Sequence, residues 1–334
     1  MAPTSSEPKN SRFTQQELPA WRPILTPAWV AGVLFCIGAL FIPLGVVCKM
    51  ASDSVVEVRY RYDNDAACSA GFFPTPKEQL AQMSTNGSGT TCEVTIPVPK
   101  EMKAPIFVYY ELDNFYQNHR RYVKSRSDTQ LAGGTAADDF CSPQLDRNSA
   151  GVEGAVISER INPCGLIAWS FFNDTYAIAV DGAPVAIDEK GIAWKSDVEY
   201  KFGSYAPSHF NDDPATRGGG TIQGTVQQDE HFIVWMRTAA LSTFRKLWGV
   251  LRSDIPAGAV VTVQVANRYN TYKFNGAKHV VLSTTSWLGG KNDFLGIAYL
   301  TVGALCIALS LVFITLAIYP PRRQGDINEL SWNK

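Results

Sequence analysis

Two uncharged apolar runs, one near each end of the chain, constrain this sequence more than any other feature. The first, Ala28–Cys48, reads AWVAGVLFCIGALFIPLGVVC, and the second, Phe294–Tyr319, reads FLGIAYLTVGALCIALSLVFITLAIY. At a rise of about 1.5 Å per residue, about 20 apolar residues cross the roughly 30 Å of bilayer hydrocarbon. Neither run contains Asp, Glu, Lys, Arg or His, so both are read as transmembrane helices, residues 28–48 and 294–319. Trp29, Tyr299 and Tyr319 suit the aromatic belts at the headgroups. The mean hydropathy of −0.07 looks like that of a soluble protein only because the average hides this segregation.

Polar residues 1–27 precede the first run, whose apolar core is longer than that of a signal peptide, so it reads as a signal anchor. Two spans put both termini on one side. Lys9, Arg12 and Arg22 before the first span, and Arg322 and Arg323 after the second, favour the cytosol for both tails, 1–27 and 320–334. Lys49, Arg59 and Arg61 on the opposite flank weaken that asymmetry, and the segment between the spans has to decide it. Within the spans, Ala28 and Gly32, and Ala304 and Ala308, are small residues four apart that let helix backbones approach closely. Pro43 and Gly45 predict a kink near the outer end of the first span. With no ionisable residue in either span, the chain alone has no carrier for an ion relay.

Residues 49–293 are enough for a domain with its own core. Of seven cysteines, Cys68, Cys92, Cys141 and Cys164 fall here, and an even set in a translocated domain reads as two disulfides. Three pairings are open. The sequential one closes two loops of similar size, each worth roughly 3–4 kcal/mol in the chain-entropy model. No CxxC pair and no ligand-spaced pair among His119, His209, His231 and His279 argues for zinc. Asn86-Gly-Ser and Asn173-Asp-Thr are glycosylation sequons, and with the cysteines they place the domain in the lumen or outside the cell.

The domain's periodicity is mostly that of strands. Cys92–Val98 alternates with Val94, Ile96 and Val98 on one face. Ile106–Leu112, Tyr176–Val180, His231–Met236, Val260–Ala266 and Lys278–Leu282 are β-branched or aromatic runs bounded by turn residues. Many short strands without regular helical partners predict a mainly antiparallel β-sandwich with short helices. One helix is expected where Leu241, Phe244, Leu247, Trp248 and Leu251 form an apolar stripe.

Enzyme motifs are scarce: no P-loop, GxSxG, HExxH or GxGxxG is present, and no cofactor is implied. Asp63-Asn64-Asp65 matches the acidic pair with which metal-dependent glycosyltransferases hold a sugar-nucleotide cation, but it lies close behind the first span. Asp138-Asp139 and Asp212-Asp213 sit in Gly- or Pro-containing stretches and read as solvated turns. A formal net charge of −1 gives no electrostatic reason to expect nucleic acid.

Four longer strings are more specific. Phe115–Ser127 reads FYQNHRRYVKSRS, Asn162–Asp174 reads NPCGLIAWSFFND, Trp235–Gly249 reads WMRTAALSTFRKLWG, and Thr284–Tyr299 reads TTSWLGGKNDFLGIAY. In this order, between spans so placed, they resemble the cell division control protein fifty family, the accessory (β) subunits of type IV P-type ATPases. The resemblance is strongest to the plant members, the ALA-interacting subunits, and covers nearly the whole chain. It implies a β-rich ectodomain, cytosolic termini, and a heterodimer with a phospholipid-flipping ATPase α-subunit amid membrane lipids. The family's membranes are the endoplasmic reticulum, the Golgi and post-Golgi compartments and the plasma membrane. In this family the small subunit supports exit of the complex from the endoplasmic reticulum and assists the pump's cycle. The chain lacks the DKTG phosphorylation motif, so it is not itself the ATPase.

The resemblance also implies that Cys164 pairs with Cys141 and that Asn173 carries a glycan. Phe115, Tyr116, Arg120, Arg121 and Tyr122 interleave aromatics and cations. They serve either as packing inside the domain or as a face for the ATPase's extracellular loops. Arg237, Phe244, Arg245 and Lys246 carry the same two readings, and Lys291 and Asn292 either cap the second span or touch the partner. Two other classes compete. Some two-span channel subunits share this layout, although Gly303-Ala304-Leu305 offers no hydroxyl for a pore. A membrane-anchored glycosyltransferase rests on Asp63 and Asp65 alone.

Overall fold

The computed structural model describes residues 11–14, 16–19, 25–65, 67–68, 90–134, 140–149, 151, 159–214 and 216–319. Asn86 and Asp138-Asp139, and the basic residues Lys9, Arg22, Arg322 and Arg323, lie outside them. The chain divides into two compact units, one holding the apolar helices and the other spanning Ala51–Lys291.

In the first unit the helices run Pro27–Asp53 and Asp293–Ile318, both long and apolar enough to cross a membrane. The first continues through Pro43. The second starts where Asn292 accepts a hydrogen bond from the Phe294 amide, so an orphan N–H of its first turn is satisfied. The two helices pack on each other through residues seven apart. Ala31, Gly38 and Gly45 are buried on one, and Gly296, Gly303 and Ser310 on the other. A Cβ at Gly45 would stand 2.8 Å from the Leu300 amide nitrogen, and one at Gly296 would stand 2.9 Å from the Lys49 Cα. Backbone therefore lies against backbone, and only a hydrogen fits between. Ser310 Oγ donates to the Ala31 carbonyl at 2.8 Å, and Lys49 pairs with Asp293 at 3.3 Å.

This corrects the expected contact residues. Ala28, Gly32, Ala304 and Ala308 are exposed, and a Cβ at Gly32 would meet nothing within 4 Å. A repeat of seven keeps one face of each helix on its neighbour, whereas pairs four apart drift off that seam. The expected outcome of Gly303→Leu is separation of the pair, since even a Cβ there meets Ile42 Cγ1 at 2.8 Å. Cysteines placed at Ala31 and Ser310, in a chain freed of its span cysteines, should cross-link readily and lose that cross-link when Gly303→Leu is added.

Among the described residues the second unit is built on nine strands, β1 (Glu57–Arg61), β2 (Thr90–Pro97), β3 (Ile106–Leu112), β4 (Thr175–Val180), β5 (Ala183–Val185), β6 (Ile187–Asp188), β7 (Phe244–Leu251), β8 (Val260–Asn267) and β9 (Lys278–Ser283). They form a five-stranded sheet in the order β1-β9-β3-β7-β6 and a four-stranded sheet in the order β2-β8-β4-β5. Every pairing is antiparallel. Alternation sets the core: Val94 and Ile96 of β2, and Val261, Val263 and Val265 of β8, are buried on one sheet. Ile106, Val108, Tyr110 and Leu112 of β3, and Val280 and Leu282 of β9, are buried on the other. Tyr176 of β4 meets Trp248 of β7 edge-on at 5.2 Å, joining the two sheets across the core.

Two expected elements exchange type. His231–Met236, expected as a strand, lies in a helix, Glu230–Met236, started by Asp229, whose Oδ1 accepts from the Phe232 amide at 3.0 Å. The expected helix around Phe244–Leu251 is β7. The register between β3 and β7 pairs Val108 with Gly249 and Tyr109 with Leu247, so Trp248 is an extra residue in a bulge. Burial alternates from Phe244 to Trp248 and is lost after the bulge, where Gly249, Val250 and Leu251 are all buried, so the apolar residues no longer keep a strand's spacing.

Candidate interaction surface

Disulfides join Cys68 to Cys92 and Cys141 to Cys164. The second lies beside the segment that presents Arg120, Arg121 and Tyr122. Ser125 Oγ donates to the Ser142 carbonyl at 2.9 Å and accepts from the Leu166 amide at 2.9 Å. Gln130 accepts from the Cys164 amide at 2.8 Å and donates to the Ile161 carbonyl at 3.1 Å. These bonds fix helix Arg120–Lys124 beside helix Leu166–Trp169, where the Tyr122 and Ser170 hydroxyls are hydrogen-bonded at 2.8 Å. Burial pushes the Tyr122 phenol well above its ordinary range, so it stays neutral and serves as a hydrogen-bonding group.

The aromatic–cation strings separate into core and surface. Phe115 is an aromatic hub whose ring lies 5.2 Å from Phe274, 5.8 Å from Trp235 and from Tyr122, and 6.1 Å from Phe244. Phe244 and Lys246 are buried. The Lys246 ammonium donates to the carbonyls of Val234, Trp235 and Arg237 at 3.2, 2.5 and 2.6 Å. It thereby satisfies the free carbonyls at the end of helix Glu230–Met236, where the helix dipole favours a cation. Burial pulls its pKa well down. Phe115, Phe244 and Lys246 therefore build the domain and do not form an open face. Tyr116, Arg120, Arg121 and Lys291 are exposed, and Arg245 is paired with Glu57 at 2.7 Å.

A second exposed group forms around Arg237. Its guanidinium lies 4.3 Å from the centroid of the Trp194 ring and donates to Asp197 at 2.5 Å. That hydrogen bond, and the one from Lys201, hold the Asp197 carboxyl below the usual carboxylate range against the opposing effect of burial. Trp194, largely exposed, completes the group, and Tyr200, also largely exposed, ends the short helix Lys195–Tyr200 that carries Asp197; neither aromatic is singled out by spacing or composition. The only signal the sequence carries is a tryptophan and a tyrosine flanking a run of charges.

The acidic pair is not a catalytic centre. Asp63 is buried, paired with Arg61 at 2.9 Å, and accepts the Lys278 amide at 3.0 Å. Asp65 accepts the Tyr60 hydroxyl at 2.5 Å and the Ala67 amide at 2.9 Å. Among the described residues no three His, Cys, Asp or Glu side chains converge as a metal site. Cavities of about 230 and 300 Å³ share Asn173, Arg217 and Arg268 in their walls. Asn173, the sequon residue, stands half-buried between them.

Residues 46–323 match the family described as the LEM3 (ligand-effect modulator 3) family / CDC50 family. The chain belongs to the CDC50 family. It is similar to "ALA-interacting subunit 3" of Arabidopsis thaliana, 50% identical over 99% of this chain and 92% of that one. It is also similar to human "Cell cycle control protein 50B", 36% identical over 97% of each chain. A more distant relative is "Phospholipid-transporting ATPase accessory subunit CRF1" of Saccharomyces cerevisiae, 30% identical over 99% of this chain and 90% of that one. The matched range takes in the domain-side end of the first apolar helix, the whole two-sheet domain and the whole of the second apolar helix.

Proposed function

We propose that this CDC50 protein is the non-catalytic accessory (β) subunit of a phospholipid-translocating type IV P-type ATPase. The observation that carries the reading is full-length similarity to relatives named for interaction with, or accessory service to, such an ATPase. The physical picture agrees. The spans hold no ionisable residue within the bilayer core, their buried glycines Gly38, Gly45, Gly296 and Gly303 are spent on each other, and Asp63 is paired structurally. ATP hydrolysis, phosphorylation and lipid movement belong to the α-subunit. This chain supplies a folded ectodomain and a helix pair against which the α-subunit is stabilised, leaves the endoplasmic reticulum and completes its cycle.

In this reading both tails are cytosolic and the two-sheet domain is lumenal or extracellular. The complex works in Golgi, post-Golgi or plasma membranes, and Asn86 and Asn173 carry glycans. Tyr116, Arg120 and Arg121, and the Trp194–Arg237 group, are the surfaces offered to the α-subunit's extracellular loops. A mild-detergent pull-down of the tagged chain should recover a near-stoichiometric P-type ATPase of roughly a thousand residues. Recovery of copies of this chain alone, with ion currents in a purified bilayer, would replace the reading with that of a two-span channel subunit.

A further inference from the structure

The last turn of the domain before the second apolar helix is built unlike an ordinary surface loop. β1 begins four residues after the first apolar helix ends, and β9 pairs with it antiparallel as far as Glu57↔Ser283. One more clamp extends the ladder: the Val56 amide donates to Thr284 Oγ1 at 2.9 Å, and the Thr284 amide donates to the Val56 carbonyl at 3.0 Å. The chain leaving β9 thus departs from the sheet end at which the chain from the first span arrives. It then folds into a tight hairpin. The Ser286 amide donates to the Gly289 carbonyl at 2.8 Å, and the Gly289 amide donates back to the Ser286 carbonyl at 3.0 Å. Gly289 has φ of +115°, a conformation that only glycine adopts without strain. At the apex stand Trp287 and Leu288, 73% and 38% exposed.

An indole held out into water on a closed turn exposes a large apolar area that an apolar or amphipathic surface covers favourably. Only Gly289, Gly290, Lys291 and Asn292 separate Leu288 from Asp293, the first residue of the apolar helix. At about 3.4 Å per residue the apex lies within roughly 17 Å of that helix start even if the chain were fully extended. The zone between hydrocarbon and bulk water is itself several Å deep on each face of the bilayer. An amphipathic indole flanked by an aliphatic side chain and a lysine is the composition that prefers this zone.

We propose that the Trp287–Leu288 hairpin is an interfacial anchor that seats in the lipid headgroup layer on the domain's side of the membrane. There it fixes the depth of the sheet end from which both connections leave. Its occupant is the lipid surface: covalent proximity to an apolar span sets it apart from Trp194 and Tyr200, which are remote from either span in sequence.

The test uses the full chain in phosphatidylcholine nanodiscs with and without bromine on the acyl chains near the headgroup. The chain has 8 tryptophans, so the Trp287 signal is the difference between the wild type and Trp287→Phe. That component should be quenched by bromolipid at least about twofold more than the chain's average tryptophan, and shielded from acrylamide. A nitroxide on Leu288→Cys, which leaves Trp287 in place, should be more accessible to oxygen than to a water-soluble nickel chelate. Free quenching by acrylamide with none by bromolipid would overturn the proposal. So would protection from both quenchers that appears only when an α-subunit is co-purified, which would assign the hairpin to a protein interface.

Discussion

Replacing Asp174 by alanine should destabilise the domain by about 3–5 kcal/mol, the effect of leaving a buried charge without its counter-charge. Lys278, on β9 of the five-stranded sheet, is fully buried, and its ammonium donates to Asp174 Oδ2 and to the Tyr269 carbonyl, each at 2.6 Å, and to Asn267 Oδ1. Asp174 precedes β4 of the four-stranded sheet. It accepts the Tyr62 hydroxyl at 2.7 Å and the Arg268 and Tyr269 amides at 2.5 and 2.6 Å. One carboxylate therefore holds both sheets and the turn after β8. Burial already pulls the Lys278 pKa down, and Asp174 is the group that most opposes it. Without the carboxylate the ammonium must either lose its proton or admit water, and the two backbone amides lose their acceptor. Near-UV circular dichroism of the full chain in detergent should show a melting midpoint lower by roughly 10 °C. Asp174→Asn with Lys278→Met should recover a large part of the loss, since a buried ion pair and an apolar substitute of similar shape are often close in stability. A midpoint within a degree or two of wild type for Asp174→Ala would mean that the cluster is hydrated and contributes little.

That cluster also marks the limit of what was legible in the sequence. The spans are visible as uninterrupted apolar runs, and the strand Ile106–Leu112 because its burial alternates with the period of a strand. Lys278–Ser283 is buried at every position and is visible only through its β-branched run. Lys278 and Lys246 break the rule that lysines face water. Each sits at a core position because backbone or carboxylate oxygens wait for it there, and those acceptors come from remote segments. The same fact hides the nature of Phe244–Leu251: a lysine facing inward and a bulge at Trp248 turn a strand's alternation into an apparent helical stripe. Conversely His231–Met236 has strand-like composition, yet Asp229 and Glu230 at its start are a helix signal that local spacing does carry. Among the candidate surface residues, aromatic and cationic types mark core hubs and open faces alike. Phe115 and Tyr116 are adjacent, and only the fold turns one inward and leaves the other in solvent.

Opening the Cys141–Cys164 disulfide, as Cys141→Ser with Cys164→Ser, should lower stability by about 2–5 kcal/mol and reduce recovery of the ATPase several-fold. The two bridges enclose separations of 23 and 24 residues, so loop entropy alone predicts nearly equal losses for both. Their surroundings differ. Cys68–Cys92 ties the segment after β1 to β2, at the edge of the four-stranded sheet. Cys141–Cys164 is threaded through the Ser125 and Gln130 hydrogen bonds that set helix Arg120–Lys124 against helix Leu166–Trp169. Opening it loosens the support beneath Tyr116, Arg120 and Arg121 and leaves the Trp194–Arg237 group untouched. Comparing the two disulfide variants at matched stability therefore locates the docking face. If only Cys141→Ser with Cys164→Ser loses the α-subunit, the partner reads the Tyr116–Arg121 surface. If both retain it while Arg237→Ala does not, docking belongs to the group around Trp194. If both disulfide variants lose the partner in proportion to their melting midpoints, assembly depends on the folded domain as a whole and on neither patch.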